Sequence, residues 1–164
     1  MNIFLEIIQN KLLMIPMIAW LIAQVVKLLI HSIVEREFRL SRMFGDGGMP
    51  SAHSATVTSL AIAAGWLYGY GSAWFAATTL LAIIVMKDAV GVRRETGKQA
   101  HVIKQIADVF NAMFLEKDEA VRTEKLKEFV GHTKTQVFFG ALIGGLTSIF
   151  AMLILSVPYS SAII

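Results

Sequence analysis

The apolar residues of this chain come in runs long enough to cross a lipid bilayer, and this constrains its fold more than any other feature. A span needs about 20 predominantly apolar residues, and its backbone must satisfy its own hydrogen bonds, so helices are the expected form. Four such runs are present, at about Leu12 to Val34, His53 to Tyr70, Ser72 to Ala89 and Thr135 to Val157. The second and third are joined by Gly69-Tyr70-Gly71, an uncharged turn that predicts a helical hairpin. Only 16% of the 164 residues are charged, against roughly 25% in soluble domains. The expectation is an all-α polytopic membrane protein. Its single domain is a bundle of four transmembrane helices with a helical interfacial or cytoplasmic insertion. The first run lacks a small-residue cleavage site and reads as a retained helix, not a signal peptide. The absence of cysteine excludes disulfides, thiolate metal sites and a cysteine nucleophile.

The insertion covers residues 92–134. Val102, Ile106, Val109, Phe110 and Met113 recur at helical spacing and predict an amphipathic helix from about Lys98 to Phe114. A second, mixed-charge helix is expected from about Lys117 to Val130. Basic residues are distributed unevenly. Arg36, Arg39 and Arg42 follow the first span; Arg93, Arg94, Lys98, Lys104, Lys117, Arg122, Lys125, Lys127 and Lys134 lie in the insertion. Twelve of the fifteen lysines and arginines therefore fall on one side of a four-span bundle. The positive-inside rule predicts that side to be cytoplasmic and both termini to lie outside.

Several polar residues need explaining in so apolar a chain. Gln24, Lys27 and His31 form one stripe on the first span, and charge within a span is costly unless it is paired or faces a cavity. The segment Gly47-Gly48-Met49-Pro50-Ser51-Ala52-His53-Ser54-Ala55 joins turn formers to a helix start, with Ser51 placed as the N-cap. A helix start presents backbone N–H groups and positive dipole character, which suits phosphate. At the end of the third span, Gly-Val-Arg-Arg reads equally as a topology signal or as a bidentate phosphate clamp. Gly131-His132-Thr133-Lys134-Thr135-Gln136 opens the fourth span, setting His132 at a depth similar to His53. Taken singly, each histidine reads as an interfacial residue. Together with Lys27 and the arginines they match a phosphoryl-transfer chemistry in which one imidazole attacks phosphorus and the other protonates the leaving oxygen. Gly140, Gly144 and Gly145 follow the small-residue pattern of close helix packing.

These residues together resemble the type 2 phosphatidic acid phosphatase superfamily. Gly-Gly-Met-Pro-Ser-Ala-His-Ser-Ala, Gly-Val-Arg-Arg-Glu-Thr-Gly-Lys-Gln-Ala and Gly-His-Thr-x-x-Gln-Val look like its divergent bacterial and plastid branch. The resemblance runs from about Gln24 to Gly145. It implies a phosphoric ester hydrolase of the membrane, with His132 as nucleophile, His53 as general acid, and Lys27, Ser51, Arg93 and Arg94 as phosphate-binding residues. It implies neither metal nor other cofactor. The partner implied is a lipid phosphate such as phosphatidic acid, phosphatidylglycerophosphate or a polyprenyl phosphate. No nucleic acid is expected, and a homo-oligomer is compatible with the reading.

The chain departs from the superfamily's motifs in three places. No Arg-Pro follows Lys27 at the usual distance, leaving Arg36 or Arg39 as substitutes. Ala52 replaces the glycine of Pro-Ser-Gly-His. Gln136 stands where an aspartate orients the nucleophilic histidine; its carbonyl can orient a ring but carries no charge. Asp88, Glu95 or Asp108 are candidates to supply that charge. The alternative function is a non-catalytic lipid-phosphate binder or transporter on the same fold.

Overall fold

The computed structural model describes residues 2–38, 48–114 and 131–155, and every regular element among them is helical. The helices are α1 (Ile3–Gln9), α2 (Lys11–Glu35), α3 (Ala52–Tyr68), α4 (Ala73–Val90), α5 (Val92–Phe114) and α6 (Lys134–Ile154). Arg39, Arg42 and the expected charged helix at 117–130 lie outside the described residues, as does the predicted end of the last span at Val157.

Among the described residues, three segments are long and apolar enough to cross a membrane: α2, the run that begins with α4, and α6. The sequence predicts four spans. α3, the missing one, has 17 residues and is the most enclosed helix of the bundle. Its composition explains why. Ala52, Ser54, Ala55, Ser59, Ala61, Ala63, Ala64 and Gly65 are all buried, so small residues surround its axis and three neighbours, α2, α4 and α6, pack against it. The long apolar side chains of the other helices point outward; Leu29, Leu80, Ile84, Phe138 and Phe150 are all exposed. That is the pattern of a bundle solvated by lipid, where interfaces are built from small residues and not from a hydrophobic core.

The tightest interface joins α3 to α6. A Cβ added at Gly140 would collide with the backbone carbonyl of Ser51, and one added at Gly144 with that of Ala55. One turn further, the hydroxyls of Ser148 and Ser59 bond at 2.8 Å, and the Ser148 hydroxyl also reaches the Ser59 carbonyl at 2.8 Å. Another turn on, Met152 packs with Ala63 and Ile15. Small residues thus meet small residues at three successive contacts four residues apart, and the chain directions of α3 and α6 are parallel. Interhelical hydroxyl bonds in membranes contribute modestly, on the order of 0.6 kcal/mol each.

Two differences from expectation have local causes. α1 is capped off by Asn10, whose side chain accepts from Leu13 N at 3.2 Å and starts α2 afresh. α5 begins at Val92, six residues before the sequence periodicity shows it. The chain breaks only at Gly91, then re-enters a helix whose first turn is steadied by Thr96 Oγ1 donating to the Val92 carbonyl and by a Glu95–Lys98 pair at 2.6 Å. Arg93 and Arg94 therefore belong to a helix and not a loop. Along α5, Gly97, Ala100 and Ala107 are buried, while Val102, Ile103, Ile106, Val109, Phe110 and Met113 form an exposed apolar stripe.

Gly144→Ala and Gly145→Ala are expected to diverge in thermal unfolding in detergent. Both gain about 1 kcal/mol of helix propensity. The Gly144 variant must also push α6 off the Ala55 backbone, an overpacking cost of about 1–3 kcal/mol or more, and should be destabilised. At Gly145 a methyl meets only Ile62 Cδ1 at 3.4 Å and should be tolerated. Equal stability of the two would refute the backbone contact.

Candidate functional site

The α3–α6 contact brings the two histidine segments together at one end of the bundle. Ser51 N donates to the Gln136 carbonyl at 3.0 Å, tying the start of α3 to the first turn of α6. His132 N donates to the Ala89 carbonyl at 2.9 Å, tying the approach to α6 onto the end of α4. Gly131 just before it has φ +93°, a conformation that favours glycine and turns the chain into the new helix. The result is that the His53 and His132 rings lie 6.0 Å apart between centroids, with their planes at 82°. The environments differ: His132 is 3% exposed, whereas His53 is exposed.

Ser51 caps α3 as expected. Its hydroxyl accepts from Ser54 N at 3.3 Å and from Ser54 Oγ at 3.0 Å. It is fully buried, so its hydroxyl serves the turn first, and an anion at this corner would meet the N–H groups of the first turn of α3. The preceding turn holds the lysine. Gly48, at φ +102°, lies under the Lys27 stem; a Cβ there would sit 3.3 Å from Lys27 Cγ and Cδ. Lys27 itself is 5% exposed, deep for a cation on a membrane helix. One turn below, Gln24 is 6% exposed, and its Oε1 has no hydrogen-bond partner among the described residues. His31, the third member of the stripe, is turned toward Glu35 on its own helix, at 3.7 Å.

Lys27, Ser51, His53 and His132 thus share one end of the bundle. The arginines are less engaged. Arg94 is exposed on the first turn of α5, and the side chain of Arg93 is outside the described ones. Gln136 takes a different position from the one its aspartate-like spacing implies. Its Oε1 accepts from Thr133 N at 3.0 Å while Thr133 Oγ1 accepts from Gln136 N at 3.3 Å, a complete capping box. Among the carboxylates proposed to supply charge, Glu95 is paired with Lys98 and Asp108 is exposed. Asp88 is half-buried and adjoins Ala89, the residue bonded to His132 N. The sequence shows both hydroxyls of the turn, Ser51 and Ser54; Ala89 as the acceptor that positions His132 is visible only in the structure, because a backbone carbonyl leaves no trace in residue types. Among the described residues, no cluster of histidine, cysteine and carboxylate side chains suited to a metal ion occurs.

The fold and this end of the bundle define an integral membrane protein of apolar helices with a polar, histidine-bearing corner. A family model described as "Divergent PAP2 family" matches residues 8–147. The chain belongs to that family. It is also 41% identical over 146 residues to the "Uncharacterized membrane protein YuiD" of Bacillus subtilis (strain 168), covering 85% of this chain and 92% of that protein. No solved structure gives a significant match.

If Gln136 works as a cap, Gln136→Glu should keep the stability of the parent protein, because glutamate completes the same capping box. Gln136→Ala, which removes the bond from Thr133 N, should lose about 0.5–1.5 kcal/mol. Equal unfolding midpoints for all three proteins would count against the capping role.

Proposed function

We propose that this protein is a membrane lipid phosphatase that hydrolyses an amphipathic phosphate monoester or pyrophosphate through a phosphohistidine. The observation that carries the reading is the meeting of His53 and His132 beside Lys27 and the start of α3. The buried His132 is the nucleophile. A lone pair of its imidazole attacks phosphorus and the bond to the leaving oxygen breaks. His53 donates a proton to that oxygen as general acid. Water then attacks phosphorus with His53 taking its proton, the phosphorus–nitrogen bond breaks, and phosphate leaves with His132 restored. In-line transfer needs the two rings on opposite sides of phosphorus, at near-attack distances of about 3–3.5 Å for the bond being formed. His53 is the exposed ring and turns outward to admit the phosphoryl group; His132 stays in place.

Lys27, the N–H groups at the start of α3, and Arg93 or Arg94 hold the phosphate oxygens and offset the charge that builds on them. Gln136 acts on His132 through the backbone, by holding the turn that carries it. Asp88 takes the role of the missing aspartate, from α4. In the membrane, α3 is the second span and completes the four, at the short end of the length that suffices. The histidine corner and the insertion face the cytoplasm, as the basic residues predict, and the apolar stripe of α5 lies in the interface.

The second reading is a lipid-phosphate binder that lacks the chemistry. It is favoured by the commitment of the Gln136 side chain to the cap. Binding of phosphatidic acid without phosphate release, across a panel of lipid phosphates, would select it.

Two outcomes test the phosphatase and a third its orientation. His132→Ala should abolish hydrolysis, and His53→Ala should do so nearly as completely; full activity of the His132 variant would rule the mechanism out. Asp88→Asn should lower kcat by one or more orders of magnitude, by analogy with triad aspartates, while changing KM little. A reporter fused at the C-terminus should be active only outside the cytoplasm; a cytoplasmic signal would reverse the assigned orientation.

A further inference from the structure

A crevice runs down the outside of the bundle between α2 and α6. Its walls are Ile18 and Ile22 on one side and Ile143, Leu146, Phe150 and Ile154 on the other. It exists because both helices are drawn onto α3 by small residues, Ala19 and Ala23 on α2 and Gly140, Gly144 and Ser148 on α6. Their bulky side chains then hold them apart on the lipid side.

The crevice is connected to the histidine corner. Ile143, its uppermost wall on α6, also packs on Ala23, Ala52 and Ala55. Ala52 is the first residue of α3, between Ser51 and His53. The crevice therefore opens directly beneath the layer that carries the phosphate corner. Lower down, Ala151 lines it and packs on the cluster of Ile15, Ala63 and Met152.

Its dimensions select the occupant. From Ile143 to Ile154 the helix rises about 16 Å. Spread over that length, its empty space of about 740 Å³ gives a cross-section of about 45 Å², whereas a helix with side chains is about 10 Å across, or roughly 80 Å². The crevice is too narrow to seat a helix of a second copy within it, and an extended hydrocarbon chain can lie along it. Depth agrees. Gly140 is level with the Ser51 carbonyl, and Ile154 lies about 21 Å below it by helix rise. Half of a bilayer with its head groups is about 20–22 Å. A lipid with its phosphate at the corner thus has a crevice as deep as its own leaflet.

We propose that the α2–α6 crevice is a binding site for one hydrocarbon tail of the lipid phosphate whose head group the histidine corner receives. The proposal rests on the reading above for the identity of that head group. Lipid tails surround the protein already, so the crevice gains no hydrophobic transfer energy by taking one in. What it adds is register: a tail seated against Ile143 and Leu146 sets the ester oxygen at a fixed height beside His132. The effect belongs in KM and in chain-length preference.

The test uses the whole protein in nanodiscs of phosphatidylcholine, with phosphatidic acid bearing a mid-chain diazirine as the probe. Illumination should label α6 between Ile143 and Ile154 and α2 around Ile18 and Ile22. Excess unlabelled phosphatidic acid should cut that labelling several-fold, and the same excess of phosphatidylcholine should not. Leu146→Trp, or Ile18→Trp should the first fail to fold, should remove most of the labelling. Either variant should raise KM for long-chain phosphatidic acid several-fold while leaving a short-chain phosphate ester unaffected. Labelling that competes equally with both lipids means bulk lipid fills the crevice and overturns the proposal, as does an equal effect on long and short substrates. If the wild type labels selectively but releases no phosphate, the tail site stands and the phosphatase reading falls.

Discussion

Gly140 and Gly144 let α6 lie directly against the carbonyl groups of Ser51 and Ala55, and the position of both histidines follows from that contact. In water such an interface would be driven by burial of apolar surface. In lipid that force is absent, and the helices are held by close van der Waals packing and a few hydroxyl bonds. Backbone proximity therefore decides everything nearby. It allows Ser51 N to reach the Gln136 carbonyl, and so fixes the heights of the two helix starts relative to each other. A side chain at either glycine would separate the starts and, with them, the rings of His53 and His132.

Both histidines stand at helix N-termini, and the caps there are built from side chains with no charge: Ser51 and Ser54 for α3, Thr133 and Gln136 for α6. The positive ends of two parallel helix dipoles then point the same way, toward the end of the bundle that also holds the buried Lys27 against Gly48. An acidic cap at either start would partly cancel that field. Hydroxyl and amide caps leave it available to an incoming anion, which accounts for polar residues that are neutral exactly where the phosphate is expected to bind.

Much of this was legible in residue types. The apolar runs of α2, α4 and α6 are long and unambiguous, and Pro-Ser-Ala-His announces a capped helix start. Gly140 and Gly144 mark α6 as a close-packing helix, but that their partners are Ser51 and Ala55 of α3, and that Ser148 and Ser59 extend the series, is shown only by the structure. Other features were not. α1 and the early start of α5 depend on single capping or breaking residues, Asn10 and Gly91, whose effect is local and does not change the hydropathy pattern. The role of Gln136 could not be separated from that of an aspartate by spacing alone, because position N3 of a helix beginning after Thr133 and position four after His132 are the same residue. Only the hydrogen bonds distinguish them.

That coincidence bears on the chemistry. An imidazole that attacks phosphorus acquires positive charge, and a carboxylate in contact with it stabilises the product of that step; a glutamine amide does not. In the proposed mechanism the compensating charge comes from Asp88, on a different helix. The Ala89 carbonyl, next in the chain, already holds the His132 backbone, so ring and carboxylate are referenced to the same short piece of α4. Coulomb energy falls as the inverse of distance and of the local dielectric, and a carboxylate that must reach across from a neighbouring helix stabilises the cation less than one built into the same turn. In that mechanism the rate would depend on the α4–α6 contact, and a shift of α4 against α6 would change how well the cationic His132 is stabilised without touching either histidine, a dependence that a single-helix histidine–aspartate pair does not have.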